Sequence, residues 1–248
     1  MSITLTRAQH APEPMTVGGH LAELRRRVLV TAVALVATCS AAFVAYPQIL
    51  HWLQAPYCRV SRRCSLYVTG PLDGLTLRVH VAMYAGAFFA SPVILWQVWR
   101  FVTPGLRKNE RRTVVPFVAA SLVLFAAGAS LALLSLPHAL RFLGSVGGPT
   151  LQQIYDPNKY VGLVLALMAV FGITFEFPVV LVALELVGVV SPAKLASWRR
   201  WAIVLIVTGA AIITPSGDPF SMLALAVPLY VFYEISIIIG KLLRRRST

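Results

Sequence analysis

From Tyr160 to Val190 the chain reads YVGLVLALMAVFGITFEFPVVLVALELVGVV, 31 residues whose only charges are Glu176 and Glu185. As helix this stretch is about 46 Å long at about 1.5 Å per residue. A bilayer core is about 30 Å thick. The segment therefore spans a membrane with a tilt or a kink, most simply near Pro178. Five further apolar segments flank it: Val28–Leu50, Leu75–Trp99, Val114–Leu136, Trp201–Thr214 and Phe220–Gly240. No series of alternating ten-residue segments suggests a membrane barrel. Helices are the other way to satisfy the backbone in lipid.

The whole chain agrees with this reading. Of 248 residues 58% are hydrophobic and 12% charged, and mean hydropathy is +0.76. A soluble domain carries about twice that share of charge, and the low charge also excludes disorder. The formal net charge of +13 suggests nucleic acid or an anionic membrane surface. Its placement selects the membrane and leaves no role for nucleic acid. Sixteen of the 22 Lys and Arg residues fall at the termini and in the even-numbered gaps between segments. The positive-inside rule places that side, with both termini, in the cytoplasm. Arg59, Arg62 and Arg63 run against the rule in the first outside loop without reversing the count. The predicted organisation is a cytoplasmic segment 1–27, a six-helix domain 28–240 and a basic cytoplasmic tail 241–248.

The start resembles a secretory leader, with Arg25-Arg26-Arg27 before an apolar run and Val36-Ala37-Thr38-Cys39 near a cleavage box. The run is too long for a leader core, and five segments follow. An uncleaved first helix is expected. The fifth segment, at 14 residues, is about 21 Å long, and the sixth is marginal. Short helices imply local thinning or a partner that covers the mismatch.

Gly86-Ala-Phe-Phe89-Ala-Ser-Pro92-Val93-Ile-Leu95 aligns with Gly172-Ile-Thr-Phe175-Glu-Phe-Pro178-Val179-Val-Leu181. Both segments run outside to inside, so a repeat here would be parallel. Chance likeness between Gly- and Pro-containing apolar helices accounts for it equally well. Where the second segment has Ala90, the fourth has Glu176. A carboxylate at bilayer depth costs several kcal/mol, roughly, unless protonated, paired or facing water. Glu176 is either a functional intramembrane contact or a protonated bond to a neighbouring helix. Glu185 lies nearer the cytoplasmic end, where it could snorkel, and Glu234 lies near the basic end.

Glu23 lies in His20-Leu-Ala-Glu-Leu-Arg-Arg-Arg27 and pairs by spacing with Arg27. Glu110 lies among Arg107, Lys108, Arg111 and Arg112. Together these carboxylates can hold guanidinium groups with a geometry that Lys does not match. Asp73 and Asp218 precede helix starts and suit N-caps. Cys58 and Cys64 share the first outside loop, where oxidising conditions permit a disulfide. The nucleotide, zinc-protease and serine-hydrolase motifs are absent. The five histidines show no metal-ligand spacing, so neither a metal nor any other cofactor is expected.

Several separated motifs in the same order resemble TatC, the polytopic subunit of the twin-arginine protein translocase. They are His20-Leu21-x-Glu23-Leu24-Arg25-x-Arg27; Phe101-Val102-x-Pro104-Gly105-Leu106 with Glu110-Arg111-Arg112; Phe175-Glu176-x-Pro178; and Thr214-Pro215 through Asp218, Phe220 and Ser221, with Pro228 and Glu234 beyond. The resemblance covers about His20 to Lys241. It implies a six-helix cup with helices five and six short, and a receptor rather than an enzyme. Glu23 and Glu110 would contact the paired arginines of a signal peptide on folded cargo, on a face shaped by Arg25, Phe101, Pro104 and Arg111. Glu176, with Pro178 beside it, would meet polar groups of the single-span partners TatA and TatB. Pro56 and Asp218 match outside-loop positions of importance in the family. Export across the cytoplasmic membrane would be driven by the proton-motive force, and copies of the chain could self-associate. Met222 departs from the pattern, since many members have Gln at that place. The alternatives are a proton- or ion-coupled transporter using Glu176, and a structural anchor that leaves Glu176 without a reason.

Overall fold

In a computed structural model, residues 17–60, 66–102, 114–148 and 155–245 are described. They form helices and connecting turns, with no strand among them. The helices are α1 (Val17–Val44), α2 (Tyr46–Cys58), α3 (Asp73–Val102), α4 (Val114–Val146), α5 (Pro157–Thr174), α6 (Phe177–Val187), α7 (Pro192–Ser197), α8 (Arg199–Ile213) and α9 (Pro219–Arg245). Five stretches are long and apolar enough to cross a membrane: Ala22–Val44, Asp73–Phe101, Val115–Val146, Pro157–Val187 and Pro219–Leu242. The chain is a multi-pass membrane protein.

Successive long helices run antiparallel, and contacts between their ends show it. The Nε and Nη2 of Arg78, early in α3, donate to the Phe43 carbonyl at the end of α1 at 3.2 and 3.1 Å. Trp99, late in α3, meets Phe117, early in α4, with ring centroids 5.1 Å apart. Phe142, late in α4, meets Phe220, early in α9, at 6.0 Å. Arg199, which opens α8, pairs with Glu234 late in α9 at 2.8 Å. The start of α1 and the end of α9 therefore lie at one end of the bundle, here the near end.

The first expected segment breaks where the sequence reading ran it through, and the fourth breaks near Pro178, as expected. Val28–Leu50 is two elements. α1 stops at Val44, and a separate helix, α2, starts with Pro47 in its first turn. It lies across the far end with Leu53, Pro56 and Tyr57 buried and Trp52 78% exposed. A Trp at that position suits the membrane–water boundary. The long fourth segment is divided into α5 and α6. The break falls at Phe175 and Glu176, because Pro178 occupies the first turn of α6. Proline has no N–H to give to the Thr174 carbonyl and favours the start of a helix over its interior.

Other boundaries shift outward. α4 runs ten residues past the expected Leu136 and tolerates Pro137 inside it. Neighbouring helices allow this in membrane proteins. The fifth segment is short as expected: α8 has 15 residues, about 22 Å. The sixth is not short. α9 continues through the basic residues to Arg245 and has 27 residues.

The core is built from small residues where helices cross. At Gly86 a Cβ would stand 2.6 Å from Cys39 Cα, so α1 and α3 touch backbone to backbone. Thr38 Oγ1 donates to the Gly86 carbonyl there at 2.8 Å. Gly128 on α4 meets the Phe171 carbonyl of α5 in the same way, at 2.5 Å from a built Cβ. Without a hydrophobic drive between helices in lipid, close packing of this kind supplies the association. The largest buried cluster lies toward the far end and includes Leu53, Tyr57, Val81, Leu136, Tyr160, Phe171 and Leu225. Large exposed apolar residues such as Val33, Leu205 and Ile212 face the lipid.

Candidate functional site

Polar chemistry gathers in three places. The first is the near end, where α1 meets the end of α3. Glu23 and Arg27 lie one turn apart on α1 and form an ion pair through Oε1 and Nη2. Nη1 of Arg27 donates to the Gln97 carbonyl of α3 at 3.3 Å. The guanidinium is thus held between helices, and it holds the Glu23 carboxylate at the mouth of the bundle. Arg25 is exposed and Phe101 is partly buried at the end of α3. Glu110, Pro104 and Arg111 lie outside the described residues.

The second is inside the bundle. Glu176 stands at the N-terminal boundary of α6, at the helix break, makes no side-chain cap bond and is partly buried. Ser121 of α4, beside it, is fully buried. Trp99 Nε1 donates to Ser121 Oγ at 2.8 Å. Glu176 Oε1 is buried without a hydrogen-bond partner among the described residues. Pro178 is buried one turn on, and its carbonyl accepts from Ser236 of α9 at 3.4 Å.

Two other carboxylates differ from each other. Glu185 does not snorkel. It is 8% exposed and seated against α9, where a Cβ on Gly240 would stand 2.0 Å from its Oε2. Glu234 has the neighbours its position promised, Arg199 at 2.8 Å and the Tyr230 hydroxyl at 3.3 Å.

The third place is the far end. Asp218 is 1% exposed and acts as the N-cap of α9. Its Oδ1 accepts from Ser221 N at 2.8 Å, and Oδ2 accepts from the Ser216 hydroxyl. The turn before it needs a left-handed residue, supplied by Gly217 at φ 60°. A cleft of about 160 Å³ opens here, lined by Ala211, Thr214, Gly217, Asp218, Pro219 and Met222. Met222 therefore faces the cleft with a thioether.

Asp73 does not cap α3 as expected: it is the first residue of the helix, and its carboxylate turns back to the preceding loop, accepting from Thr69 N at 3.2 Å and Gly70 N at 2.5 Å. Thr69 Oγ1 donates to both Asp73 and Asp156, at 3.0 Å each. Asp156 caps α5 through Lys159 N at 3.0 Å. The Lys159 backbone N–H holds the Asp156 carboxyl below its usual range. Asn158 Nδ2 donates to the Asp73 carbonyl at 3.2 Å. Pro56 is buried in α2. Cys58 is disulfide-bonded, while Cys64 lies outside the described residues.

Residues 19–228 match the family model for the Sec-independent protein translocase protein, TatC. The chain belongs to the TatC family. A TatC relative from Frankia casuarinae is 44% identical over 244 residues, covering 94% of this chain and 67% of that one. One from Aquifex aeolicus is 36% identical over 236 residues, covering 94% and 98%. A crystal structure described as the twin-arginine translocase receptor TatC superposes with TM-score 0.75 at 36% identity, over 90% of this chain and 98% of that one. TatC is a protein-translocase component.

The sequence reading of this TatC-family chain missed Trp99 and Ser121. The signal available was faint: a Ser in a long apolar helix and a Trp on a neighbouring one, with no sequence rule to say that they meet beside Glu176. It missed Asp156 too, though Asp-Pro followed by an apolar run is a helix-start signature.

Proposed function

We propose that this chain is the receptor and core subunit of a twin-arginine translocase, with its near end and both termini in the cytoplasm. It binds the paired arginines of signal peptides on folded cargo. It assembles with single-span partners of the TatA and TatB kind for proton-motive-force-driven export across the cytoplasmic membrane. It works by binding, without catalysing a reaction.

The observation that carries this reading is the Glu23–Arg27 pair, held against the Gln97 carbonyl. Glu23 already accepts a guanidinium, the group an arriving signal would present. A signal arginine either joins Arg27 on that carboxylate or takes its place. Such an exchange replaces like with like and, being near the surface, yields little affinity by itself. Glu110 supplies the second carboxylate, for the second arginine. Arg25, Phe101, Pro104 and Arg111 shape the surrounding face. The apolar part of the signal packs along exposed helix surface such as Val28 and Leu29, adding about 25 cal/mol per Å² covered.

Glu176 is the contact for polar groups of a partner's single helix, with Pro178 fixing the break that presents it. Pro56 and Asp218 hold the outside end in shape, as does the disulfide that we assign to Cys58 and Cys64. Self-association of the chain belongs to the same assembly.

The test is binding of a labelled signal peptide to purified, detergent-solubilised protein, with Arg-Arg compared against Lys-Lys. Arg-Arg is expected to bind tightly and Lys-Lys weakly, and Glu23→Gln or Glu110→Gln should each weaken the Arg-Arg complex. Equal binding of the two peptides by a folded sample refutes the receptor reading. If both variants bind as tightly as the parent, the carboxylate clamp fails.

A further inference from the structure

Arg27 belongs to the same seam that joins α1 and α3 deeper in the bundle. Thr38 and Gly86 meet there, backbone against backbone. Arg27 stands about three turns before Thr38 on α1, and Gln97 the same distance after Gly86 on α3. In an antiparallel pair, equal spacing puts the two contacts on one face and in one register. Helix packing therefore sets where the Arg27 guanidinium lies. Its Nη1 donates to the Gln97 carbonyl at 3.3 Å, its Nε is buried, and its side chain is only 13% exposed.

Glu23 is more open, with 27% of its side chain exposed and Leu24, Arg25 and Arg26 exposed beside it. A glutamate is among the side chains with most rotamer freedom to lose. Nη2 of the pinned Arg27 bonds Oε1 one turn away and selects one direction for the carboxylate. That direction matters to one class of ligand. A guanidinium forks onto a carboxylate through two parallel N–H···O bonds, which require the two planes to match. An ammonium is a point charge with rotatable donors and makes no such demand.

We propose that Arg27 is a positioning residue: pinned on Gln97, it holds the Glu23 carboxylate in the plane that a second guanidinium needs, and so sets the preference of the site for arginine over lysine. The inference rests on the reading of Glu23 as a signal contact. It also decides between the two courses which that reading leaves open, since the signal arginine joins Arg27 and does not displace it. Arg27 is anchored at Nη1 and buried at Nε, so it has little room to retreat. A carboxylate accepts about four hydrogen bonds, and the bond from Arg27 does not by itself fill it.

The test measures binding of labelled Arg-Arg and Lys-Lys signal peptides to the full chain in detergent, comparing the parent with Arg27→Gln and Arg26→Gln. Arg26 is exposed on the same turn, so its variant loses an equal charge and leaves the pair in place. Arg26→Gln should change both affinities by one factor and keep their ratio. Arg27→Gln should cut the ratio of Arg-Arg to Lys-Lys affinity about fivefold, the worth of the second bond of the fork. An unchanged ratio overturns the proposal. If both peptides weaken together, Arg27 serves the fold; if both tighten together, it is an occupant that the signal displaces. The second readout needs no peptide. It is the carbon NMR signal of the Glu23 carboxyl, assigned by its loss in Glu23→Gln. The signal should shift well beyond its place in Arg26→Gln when Arg27 is replaced. Equal signals in the two variants overturn the proposal and leave the receptor reading standing. Equal binding of the two peptides by the folded parent overturns the receptor reading, and the proposed preference with it, whatever the carbon signal does.

Discussion

Replacing Gly86 by alanine tests whether the α1–α3 seam is as tight as its geometry says. The added Cβ would stand 2.4 Å from Cys39 Sγ, 2.6 Å from its Cα and 2.7 Å from its N. Non-bonded carbon atoms rest at about 3.5–4.0 Å, so α1 must retreat by about 1 Å. A side chain could swing away, but here the obstacle is mainly backbone. The retreat stretches the 2.8 Å bond from Thr38 Oγ1 to the Gly86 carbonyl. Overpacking of this kind costs about 1–3 kcal/mol, and the bond adds about 1 kcal/mol. Alanine returns up to about 1 kcal/mol in helix preference. The expected net loss is about 2 kcal/mol. Gly162→Ala on α5 is the control, since nothing lies within 4 Å of its built Cβ. That variant should gain up to about 1 kcal/mol. Unfolding of both variants in mixed detergent micelles, followed by circular dichroism, measures the difference. Equal shifts in the same direction would refute the reasoning, because the two glycines would then differ in nothing that matters.

Asp218→Ala should lower stability by about 2 kcal/mol, the upper part of the range for a lost N-cap, because the buried Ser221 N–H is left unpaired; thermal unfolding in detergent checks it. Arg199→Ala should cost less than about 1 kcal/mol, since the partner Glu234 keeps the Tyr230 hydroxyl and the pair is half exposed. Asp156 has a lowered carboxyl pKa from the Lys159 N–H, so its contribution is complete above the unfolded value near 3.8. That contribution is lost as pH falls through the lower folded value. The thermal midpoint should therefore fall on acidification below about pH 4 more steeply in the parent than in Asp156→Asn, and parallel curves would count against the cap.

Apolar length made the long spans legible, because lipid imposes that rule on sequence directly. Helix ends within an apolar run were less legible. Val28–Leu50 is continuous in hydropathy, and only Pro47 marks the place where α2 turns across the far end. At Pro178 the sequence pointed to the right neighbourhood but not to the residue. Proline disrupts the turn before it, so the break falls at Phe175 and Glu176. Pro92 occupies the matching place in the second segment and stays inside an unbroken α3. The likeness between the two segments therefore does not extend to their shape. Glu185 shows the limit of depth arguments. Its nearness to the end suggested a route to water, but the notch at Gly240 that receives it lies 55 positions away in the chain. The Glu23–Arg27 pair followed from spacing alone, whereas its anchorage on Gln97 depended on how α1 and α3 cross.

The threonine knot bears on how the bundle can move. Thr69 fastens the first turns of α3 and α5 to each other through Asp73 and Asp156. The Tyr160 hydroxyl fastens α5 to α2 by donating to the Leu53 carbonyl at 2.9 Å. At the opposite end α8 leans on α7 and α9, with Trp198, Trp201, Ile203 and Val204 exposed. A body clasped at one end deforms like a clothes-peg. The clasp is the pivot, and the jaws are the ends of the helices that carry Glu23 and the start of α8.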